Sequence, residues 1–544
     1  MLEFSLMCVI ITGTASLGIV SHLALFIHGE WHMQAPILLQ IYSAIGLAVF
    51  CALRSSGCAN LESFIATILT AFSYAAGTLT SIVVYRTCFH RLRCFPGPWA
   101  ARVTKFWHVW QCRSGQNYLV LERLRKQYGP VIRTGPDELT IIDPAVSYAL
   151  DGPGNQCTKA VWYDFLLPEI AINTTRSKAQ HDARRRIWDK GFTPARLTVY
   201  QERVAEYART LVSRIEELAH QEAPVDLTDW FYWFTWDVMG EFAFARSFDM
   251  LKNEQWHFAP LLLRRAMRLL GPFSPVPWLA QIAFRIAPWM FIVRDWFAML
   301  AWCRERMSER IQMNGEMPDI SHLLIEASAK ADSLEADRPW LNGDAIAIII
   351  AGSDTIAPTL IFAVYELARK PEQQQKLFGE LEGLDVHDST ELQSCEHLNA
   401  VINETLRLYP AVPTGGYRQT SSSGLHVGDL YLPGDVTIIS PRYSLARLES
   451  AYEKPESWIP ERWTTRRNMV KDSRAFAPFA HGRYNCVGKN LAMIEMRLVL
   501  AMLVRRFEMG FSPSGDEGEV MFKNMGDYFT AAPGRLELMF RKRQ

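Results

Sequence analysis

Apolar residues are concentrated in long stretches at the N-terminal end of the chain. Residues 4–27, 35–53 and 64–85 contain no charged side chain, and short polar segments separate them. Each stretch is near the roughly 20 residues that a helix needs to cross the hydrocarbon core of a bilayer. A cleaved secretory signal would be followed by polar sequence, whereas here two further apolar stretches follow. The pattern predicts a membrane anchor over residues 1–95 with about three transmembrane helices. The second stretch is short and carries Gln40, which leaves the number of spans open.

Basic residues just after the third stretch predict the orientation of this anchor. Lys and Arg near the end of a span stay on the cytosolic side, so the remainder of the chain is expected to face the cytosol and the N-terminus the lumen. Arg54, in the loop before the third stretch, opposes this orientation weakly. The cluster consists of Arg86, His90, Arg91, Arg93, Arg102 and Lys105.

The pattern changes at Pro96-Gly97-Pro98, a stiff break between the anchor and the rest of the chain. Residues 96–544 contain no repeat and no low-complexity run, and we interpret them as one large domain. Helical patterns dominate as far as residue 410, while strand-like alternation is confined to a hairpin around Pro136-Asp137 and to residues 424–440. The expected fold class is therefore mainly α with small β-sheets (α+β), preceded by transmembrane helices.

Composition narrows the range of partners. The chain has 57 basic and 57 acidic residues, so it lacks the positive charge that binds nucleic acid, and nucleic acid is not an expected partner. Its ten cysteines are scattered without a C-x-x-C pair and too sparsely for a disulfide scaffold. This use of cysteine fits a reducing compartment around the main domain.

One cysteine, Cys486, lies in a loop that leads directly into an apolar helical pattern. Taken alone, such a cysteine is more often a buried structural residue, but a metal-ligating thiolate also needs the N–H groups that a helix N-terminus supplies. Phe479, Gly482, Cys486 and Gly488 stand at the spacing F-x-x-G-x-x-x-C-x-G, which resembles the haem-binding loop of the cytochrome P450 family. The resemblance implies that the Cys486 thiolate is the proximal ligand of haem b (iron protoporphyrin IX) and that Phe479 shields the sulfur.

The resemblance also implies partners for the two carboxylates (propionates) of haem, which need cationic or hydrogen-bonding groups when buried. Members of the family usually carry Arg two residues before the cysteine. Here Tyr484 holds that place and Arg483 lies one residue earlier, so which of the two contacts a propionate stays open. His181 and Arg185, four residues apart on one helical face, resemble a further pair of donors, with a solvated basic face as the alternative. Arg418 resembles another donor.

A long apolar helix pattern from Leu341 to Arg369 carries the pair Asp354-Thr355. Pro358 has no N–H for the carbonyl of Asp354, so the helix is expected to open or kink there. The resemblance implies that this turn forms an oxygen-binding groove and that Asp354 and Thr355 act as catalytic residues that relay protons. Without the other motifs, an Asp-Thr pair in a helix is more often a local packing feature.

Glu404 and Arg407 lie three residues apart on a predicted helix. The same E-x-x-R spacing occurs elsewhere in the chain, and what distinguishes this pair is Arg462 further on, followed by the cysteine loop. The resemblance implies that the three residues form a buried charge network with a structural role. Removal of one member would then leave an unpaired buried charge.

Together these motifs imply a membrane-anchored haem-thiolate monooxygenase that inserts one oxygen atom from O₂ into a small lipophilic substrate. The sequence has no phosphate-cradling G-x-G-x-x-G loop, so electrons are expected from a separate NADPH-cytochrome P450 reductase that docks near Lys489 and Arg497. The expected location is the endoplasmic reticulum membrane, with the catalytic domain in the cytosol. The anchor and the sequence around Cys486 resemble fungal members that act in secondary-metabolite biosynthesis, a likeness that does not identify a substrate.

Two alternatives use the same residues. The first is a haem-thiolate isomerase or dehydratase that works without a reductase. Retention of Asp354 and Thr355 argues against it, because such reactions need no protonation of dioxygen. The second is a membrane haem-binding protein without turnover, which would bind ligands but consume no NADPH.

Overall fold

A computed structural model describes residues 2–221, 223–273, 275–313, 319–513 and 515–543. Three helices form the N-terminal region, namely α1 (Leu2–Ser21), α2 (Ala35–Ser55) and α3 (Asn60–Val84). A π-helical turn extends α1 to Phe26 and another extends α3 to Phe89. All three helices are long and apolar enough to cross a membrane, and few of their residues are buried against protein.

Helices α1 and α3 pack closely through small residues. A side chain at Gly77 would collide with the backbone of Ala15, and a side chain at Gly18 would collide with the carbonyl of Tyr74. Close backbone approach of this kind is how helices associate where lipid surrounds them. The hydroxyl groups of Tyr42 and Tyr74, 2.8 Å apart, join α2 to α3. The three helices therefore form one packed unit.

The remainder of the chain is dominated by helices, which were the expected elements. Those before residue 313 are α4 (Trp99–Val103), α5 (Phe106–Gln111), α6 (Asn117–Tyr128), α7 (Pro144–Asp151), α8 (Lys178–Asp189), α9 (Pro194–Ala219), α10 (Leu227–Phe244), α11 (Met250–Asn253), α12 (Phe258–Met267), α13 (Pro277–Ile286) and α14 (Phe291–Gln312). Those after it are α15 (Ile320–Lys330), α16 (Arg338–Arg369), α17 (Pro371–Glu380), α18 (Ser389–Ser394), α19 (Glu396–Leu408), α20 (Arg442–Leu445), α21 (Lys489–Arg506) and α22 (Glu519–Lys523).

The strands are short and lie at the edge of the helical core. They are β1 (Val131–Gly135), β2 (Glu138–Ile141), β3 (Thr158–Lys159), β4 (Val225–Asp226), β5 (Tyr417–Gln419), β6 (Leu425–Val427), β7 (Leu430–Leu432), β8 (Thr437–Ile439), β9 (Phe507–Gly510), β10 (Gly526–Tyr528), β11 (Thr530–Ala532) and β12 (Glu537–Lys542). The largest sheet has the order β1-β2-β8-β5-β3, and only its β2–β8 pair is parallel. The strands β1 and β2 form the hairpin that was predicted around Pro136-Asp137. Mainly α with small sheets is thus the observed class.

Helix α16 forms the centre of this domain and packs against α10, α14, α19 and α21. Its sequence is apolar on nearly every face, which is typical of a helix that is surrounded by protein. By length and composition it would also be able to cross a membrane, but 78% of its most apolar window is buried inside the domain. Pro358 does not end the helix, which runs from Arg338 to Arg369 with the proline inside it, and a kink at this turn stays a prediction. Hydroxyl groups of Thr355 and Thr359 donate to the carbonyls of Ala351 and Thr355 at this point.

Candidate functional site

A cavity of about 360 Å³ lies between α16 and the loop that precedes α21. Helix α16 contributes the small residues Ala347, Ala351 and Thr355 to the lining, and the loop contributes Phe479 and Cys486. Aromatic side chains from distant parts of the sequence close much of the rest, namely Trp162, Phe165, Trp296 and Phe529. The cavity is therefore mostly apolar, with a cysteine sulfur in its wall.

The backbone of the cysteine loop is held in an unusual path. Gly482 has φ +57°, and a side chain there would collide with the carbonyl of Asp151. Only glycine accepts this conformation and this close approach without strain. The N–H of Cys486 donates to the carbonyl of Phe479 at 2.8 Å, which closes the loop. The predicted residues Phe479, Gly482 and Cys486 thus lie together in one tight turn.

The surroundings of the Cys486 sulfur suit a thiolate. Burial raises the pKa of the Cys486 thiol, but hydrogen bonds from the N–H groups of Gly488 and Lys489 lower it. The positive charges of Arg185 and Arg442 act in the same direction. These N–H groups belong to the beginning of α21, where the helix dipole also favours negative charge. The sulfur can therefore be stabilised as an anion once a metal replaces the proton.

Cationic and hydrogen-bonding side chains converge on one edge of the cavity. The predicted residues His181, Arg185 and Arg418 all line it. Arg418 Nε lies 2.5 Å from Asp151 Oδ1, and Arg185 Nη1 donates to the carbonyl of Asn485 at 2.7 Å. Burial lowers the pKa of His181. These groups come from α8 and β5, which are far apart along the chain and meet only in the folded domain.

The structure separates Arg483 from Tyr484. Arg483 pairs with Asp182 on the outer side of the loop, its side chain is 39% exposed, and it does not line the cavity. Tyr484 lines the cavity, and its buried hydroxyl has no hydrogen-bond partner among the described residues. The ring of Tyr484 lies edge-on to His181, with centroids 4.9 Å apart. Of the two, Tyr484 is the residue that faces the candidate propionate edge.

Two further basic side chains at this edge were not predicted. Lys159 is buried, and its Nζ donates to the carbonyl of Ile172 at 2.8 Å. Burial lowers the pKa of Lys159 well below its usual range. Lys159 on β3 is the register partner of Arg418 on β5, so the sheet places two basic side chains next to each other. Arg442, at the start of α20, donates to the carbonyl of Pro478 at 3.2 Å and also lines the cavity. Sequence spacing gave no signal for either residue.

The donor set fits an iron porphyrin. A sulfur anion faces an apolar cavity, which suits the metal and the flat apolar ring. The unpartnered Tyr484 hydroxyl and the buried Lys159 amine lie at one edge, where two carboxylates would satisfy them. Buried polar groups without partners are costly, so this edge favours an anionic ligand.

Asp354 and Thr355 occupy different surroundings on α16. Thr355 lines the cavity, and its Oγ1 donates to the carbonyl of Ala351 at 2.6 Å. Asp354 is buried behind the cavity wall, and its Oδ1 has no hydrogen-bond partner among the described residues. Burial raises the pKa of Asp354 to about 6, although the charge of Arg264 opposes the shift. The alcohol thus faces the cavity and the acid lies behind it.

Glu404, Arg407 and Arg462 meet in the interior of the domain. Glu404 Oε1 lies 2.8 Å from Arg407 Nη2 and 3.2 Å from Arg462 Nε, and all three side chains are at most 1% exposed. The backbone N–H of Ile459 and the indole N–H of Trp463 also donate to this carboxylate, each at 2.9 Å. Every charge in the cluster therefore has partners, which is the condition for burying an ion pair.

Another acidic residue of the cavity wall was missed from the sequence. Glu495 on α21 is fully buried, and neither of its carboxylate oxygens has a hydrogen-bond partner among the described residues. Burial raises the pKa of Glu495 well above its usual range. A glutamate inside an apolar helix pattern was the available signal.

Comparisons with known proteins agree with this geometry. The family model for cytochrome P450 matches residues 96–539. Tryprostatin B 6-hydroxylase of Aspergillus fumigatus is 34% identical over 540 residues, which cover 97% of this chain and 95% of that protein. The cytochrome P450 monooxygenase FCK2 of Fusarium pseudograminearum is 35% identical over 537 residues, covering 97% of this chain and 96% of its own length. The cytochrome P450 monooxygenase notG' of Aspergillus versicolor is 33% identical over 559 aligned positions, which cover 100% of this chain and 99% of that protein.

The match spans the whole domain that contains the cavity, and the similarity to these relatives continues through the N-terminal helices. It confirms the resemblance that was inferred from the motif around Cys486. The family implies a haem-thiolate cofactor, in agreement with the donor set of the cavity. The chain belongs to the cytochrome P450 family of monooxygenases.

Proposed function

We propose that this protein is a membrane-anchored hydroxylase that inserts one oxygen atom from O₂ into a small lipophilic substrate of fungal secondary metabolism. The observation that carries the proposal is that Cys486 and Thr355, from different elements of the fold, line the same apolar cavity. The first supplies a metal ligand and the second a hydroxyl group that can pass a proton.

The proposed cofactor is haem b, which when bound supplies the activation of dioxygen. Cys486 would hold the metal through its sulfur, with Phe479 packed in the same loop and two N–H groups donating to the sulfur. His181, Arg185, Arg418 and Tyr484 would bind the propionates, and Lys159 would join them. Arg483 is the weaker candidate because its charge is already paired with Asp182 outside the cavity. Glu404, Arg407 and Arg462 would hold the cysteine loop in place.

Asp354 and Thr355 are the proposed proton relay. A carboxyl group with a pKa of about 6 is neutral in part of the population near neutral pH, so Asp354 can donate a proton and regain it. The Thr355 hydroxyl faces the cavity and would pass protons to the reacting centre. Two protons are consumed when O₂ yields one inserted oxygen atom and one molecule of water, and the relay would deliver them.

The proposed electron donor is NADPH-cytochrome P450 reductase. A surface groove of about 850 Å³ lies beside the cysteine loop and includes Lys489 and Arg497 among its lining residues. Lys489 is exposed, whereas Arg497 is half-buried and donates to Asn399 Oδ1 at 2.8 Å. Lys489 is therefore the better candidate for a contact with an acidic partner.

The proposed location is the endoplasmic reticulum membrane. We propose residues 1–95 as the anchor and residues 96–544 as a haem domain on the cytosolic side. The basic cluster that follows α3 supports this orientation. The apolar cavity, close to a membrane, supports a substrate that partitions into lipid.

The test uses full-length protein in lipid nanodiscs together with a fungal reductase. The reduced protein under CO should show the red-shifted absorption of thiolate-bound haem, Cys486→Ala should abolish it, and Cys157→Ala, at a buried cysteine elsewhere, should retain it. Tryprostatin B, named by a relative, and other lipophilic compounds should be screened for NADPH-dependent products that carry one ¹⁸O atom from ¹⁸O₂. Product formation without NADPH would favour an isomerase or dehydratase instead. Retention of the thiolate spectrum in Cys486→Ala would overturn the assignment.

A further inference from the structure

The loop between α1 and α2, residues 27–34, contacts the part of the chain that lines the cavity. Arg176 Nη2 and Nη1 lie 2.6 and 2.8 Å from the two carboxylate oxygens of Glu30 in this loop. His32 Nε2 lies 2.8 Å from Asp164 Oδ2, and Arg176 Nη1 lies 2.8 Å from the same oxygen. Arg176 and Asp164 thus connect both loop residues to the catalytic domain.

This cluster is a network of ion pairs and hydrogen bonds rather than a metal site. The ligand atoms of Glu30, His32 and Asp164 lie within 4.8 Å of one another, but Arg176 already donates to both carboxylates. The hydrogen bond from Arg176 holds the pKa of Glu30 below its usual range. The side chains of His32 and Asp164 are only 10% and 16% exposed, so solvent and salt screen this contact less than an open surface pair.

Asp164 connects the network to the cavity wall. It lies in the 3₁₀ turn Val161–Leu166, and four other side chains of the turn line the cavity. Within this wall Trp162 stacks between Tyr417 and Phe529, with ring centroids 5.0 and 4.9 Å away. A shift of Asp164 would therefore move aromatic side chains that face the substrate. The four lining residues are Trp162, Tyr163, Phe165 and Leu166.

A second contact joins the anchor to the same wall. Helix α2 packs against α13, and α13 packs against the turn Val161–Leu166. Phe284 of α13 stacks on Trp296 with centroids 6.0 Å apart, and Trp296 meets Phe165 edge-on at 5.6 Å. The loop and α2 therefore support the turn from two directions.

We propose that Glu30 and His32, although they belong to the membrane anchor, are positioning residues for the wall of the substrate cavity. By fixing Asp164 and Arg176 they hold the turn Val161–Leu166 in place and so limit how readily a lipophilic molecule passes into and out of the cavity. The inference rests on the proposed function, because it takes the cavity to be the substrate site. It also requires the loop and the catalytic domain to lie on the same side of the membrane, as three spans dictate.

The principal variant is Glu30→Gln/His32→Ala in the full-length haem-loaded protein in nanodiscs. Hydrogen exchange of residues 161–166 should accelerate about tenfold, since two partly exposed ionic contacts contribute on that order. Binding and release of the lipophilic azole clotrimazole, followed by haem absorbance, should both accelerate by a similar factor. With a substrate in hand, the variant should raise KM more than it lowers kcat.

Three further variants make this test specific. Asp164→Asn removes the shared carboxylate from the domain side and should reproduce the effect. His32→Gln keeps a side-chain donor and should behave like the unmodified protein. His28→Ala removes an exposed imidazole from the same loop and should also change nothing.

Unchanged exchange of residues 161–166 together with unchanged clotrimazole kinetics in the double variant would overturn the inference. Hydrogen exchange does not depend on turnover, so it separates this inference from the proposed function. A protein that lacked the thiolate spectrum would refute the proposed function alone, and the exchange measurement would still decide whether the loop holds the turn.

Discussion

Glu404 Oε1 and Arg462 Nε lie 3.2 Å apart, and both side chains are completely buried. With Arg407 they form a cluster in which the single carboxylate of Glu404 pairs with both guanidinium groups. We predict that Glu404→Gln destabilises the domain by about 3–5 kcal/mol, because two guanidinium groups lose their carboxylate in the interior. Thermal unfolding and haem content of the purified protein measure the effect. Glu326→Gln, at an exposed i,i+4 pair with Lys330, is the control and should leave both unchanged.

Because Tyr484 lines the cavity and Arg483 does not, we predict that only the Tyr484 variant changes the rate of haem loss. Tyr484→Phe should accelerate haem loss several-fold, because it removes a buried hydroxyl from the cavity edge. Arg483→Ala should leave haem loss unchanged, because that side chain pairs with Asp182 outside the cavity. The rate of haem transfer to apomyoglobin distinguishes the two. Faster loss from Arg483→Ala alone would instead make Arg483 the propionate partner.

The raised pKa of Asp354 predicts that the rate of product formation falls as the pH rises above about 6. Burial raises the pKa of Asp354 to about 6, so the neutral form that can donate a proton dominates below that pH and declines above it. We expect Asp354→Asn to lower product formation by about 100-fold, the lower end of what a positioned acid contributes, and to abolish a falling limb above about pH 6. Profiles of product per NADPH from pH 5.5 to 8.5 test this. Thr355→Ser keeps the hydroxyl group and should retain most activity, whereas a limb that persists in Asp354→Asn would assign it to another group.

The raised pKa of the buried Asp527 carboxyl group predicts that the free energy of unfolding depends on pH. Asp527 is buried beside Thr414, and burial raises its pKa to about 6. Because the pKa of Asp527 is higher in the folded than in the unfolded protein, the native state holds this proton more tightly. The contribution of the protonated carboxyl group to the free energy of unfolding is therefore fully present below about pH 4 and is lost as the pH rises through 6. The loss amounts to about 3 kcal/mol. Asp527→Asn should therefore raise the melting temperature relative to the unmodified protein at pH 8 but not at pH 4.5. Glu382→Gln, at an exposed position, should show no such difference.

The proposed anchor, with three spans, would place the two ends of the chain on opposite sides of the membrane. An epitope tag at the N-terminus should resist protease in sealed microsomes, because the N-terminus would be lumenal. A tag at the C-terminus should be removed. Detergent should expose the N-terminal tag, and its digestion before detergent would indicate an even number of spans.

The long-range architecture could be predicted where the sequence carries a local signal. Uncharged stretches indicated α1 to α3, and the apolar run from Leu341 indicated α16. The spacing around Cys486 indicated the loop and the family, because that spacing reflects a backbone path only glycine permits. Pro358 does not end α16, because the helix is packed against protein on nearly every side, and the expected kink at this turn stays a prediction.

The rest of the site depends on non-local pairing. Strand β3 has only two residues, which is too short for an alternating pattern to predict it. Its pairing with β5 nevertheless places Lys159 beside Arg418, which lies far along the chain. The outward direction of Arg483 follows from the short 3₁₀ turn Gly482–Tyr484, whose geometry the motif alone does not specify. Contacts of Glu30 and His32 with the catalytic domain join an anchor loop to residues more than a hundred positions away.

The pairing of Lys159 with Arg418 would make the stability of the newly made chain depend on the proposed cofactor. Without a bound porphyrin, two basic groups lie side by side, Asp151 pairs with Arg418, and burial lowers the pKa of the Lys159 amine well below its usual range. The proposed porphyrin, with its two carboxylates, would place negative charge beside these groups and stabilise the native chain by mass action. Loss of the porphyrin would then lower the stability of the native chain as well as its activity.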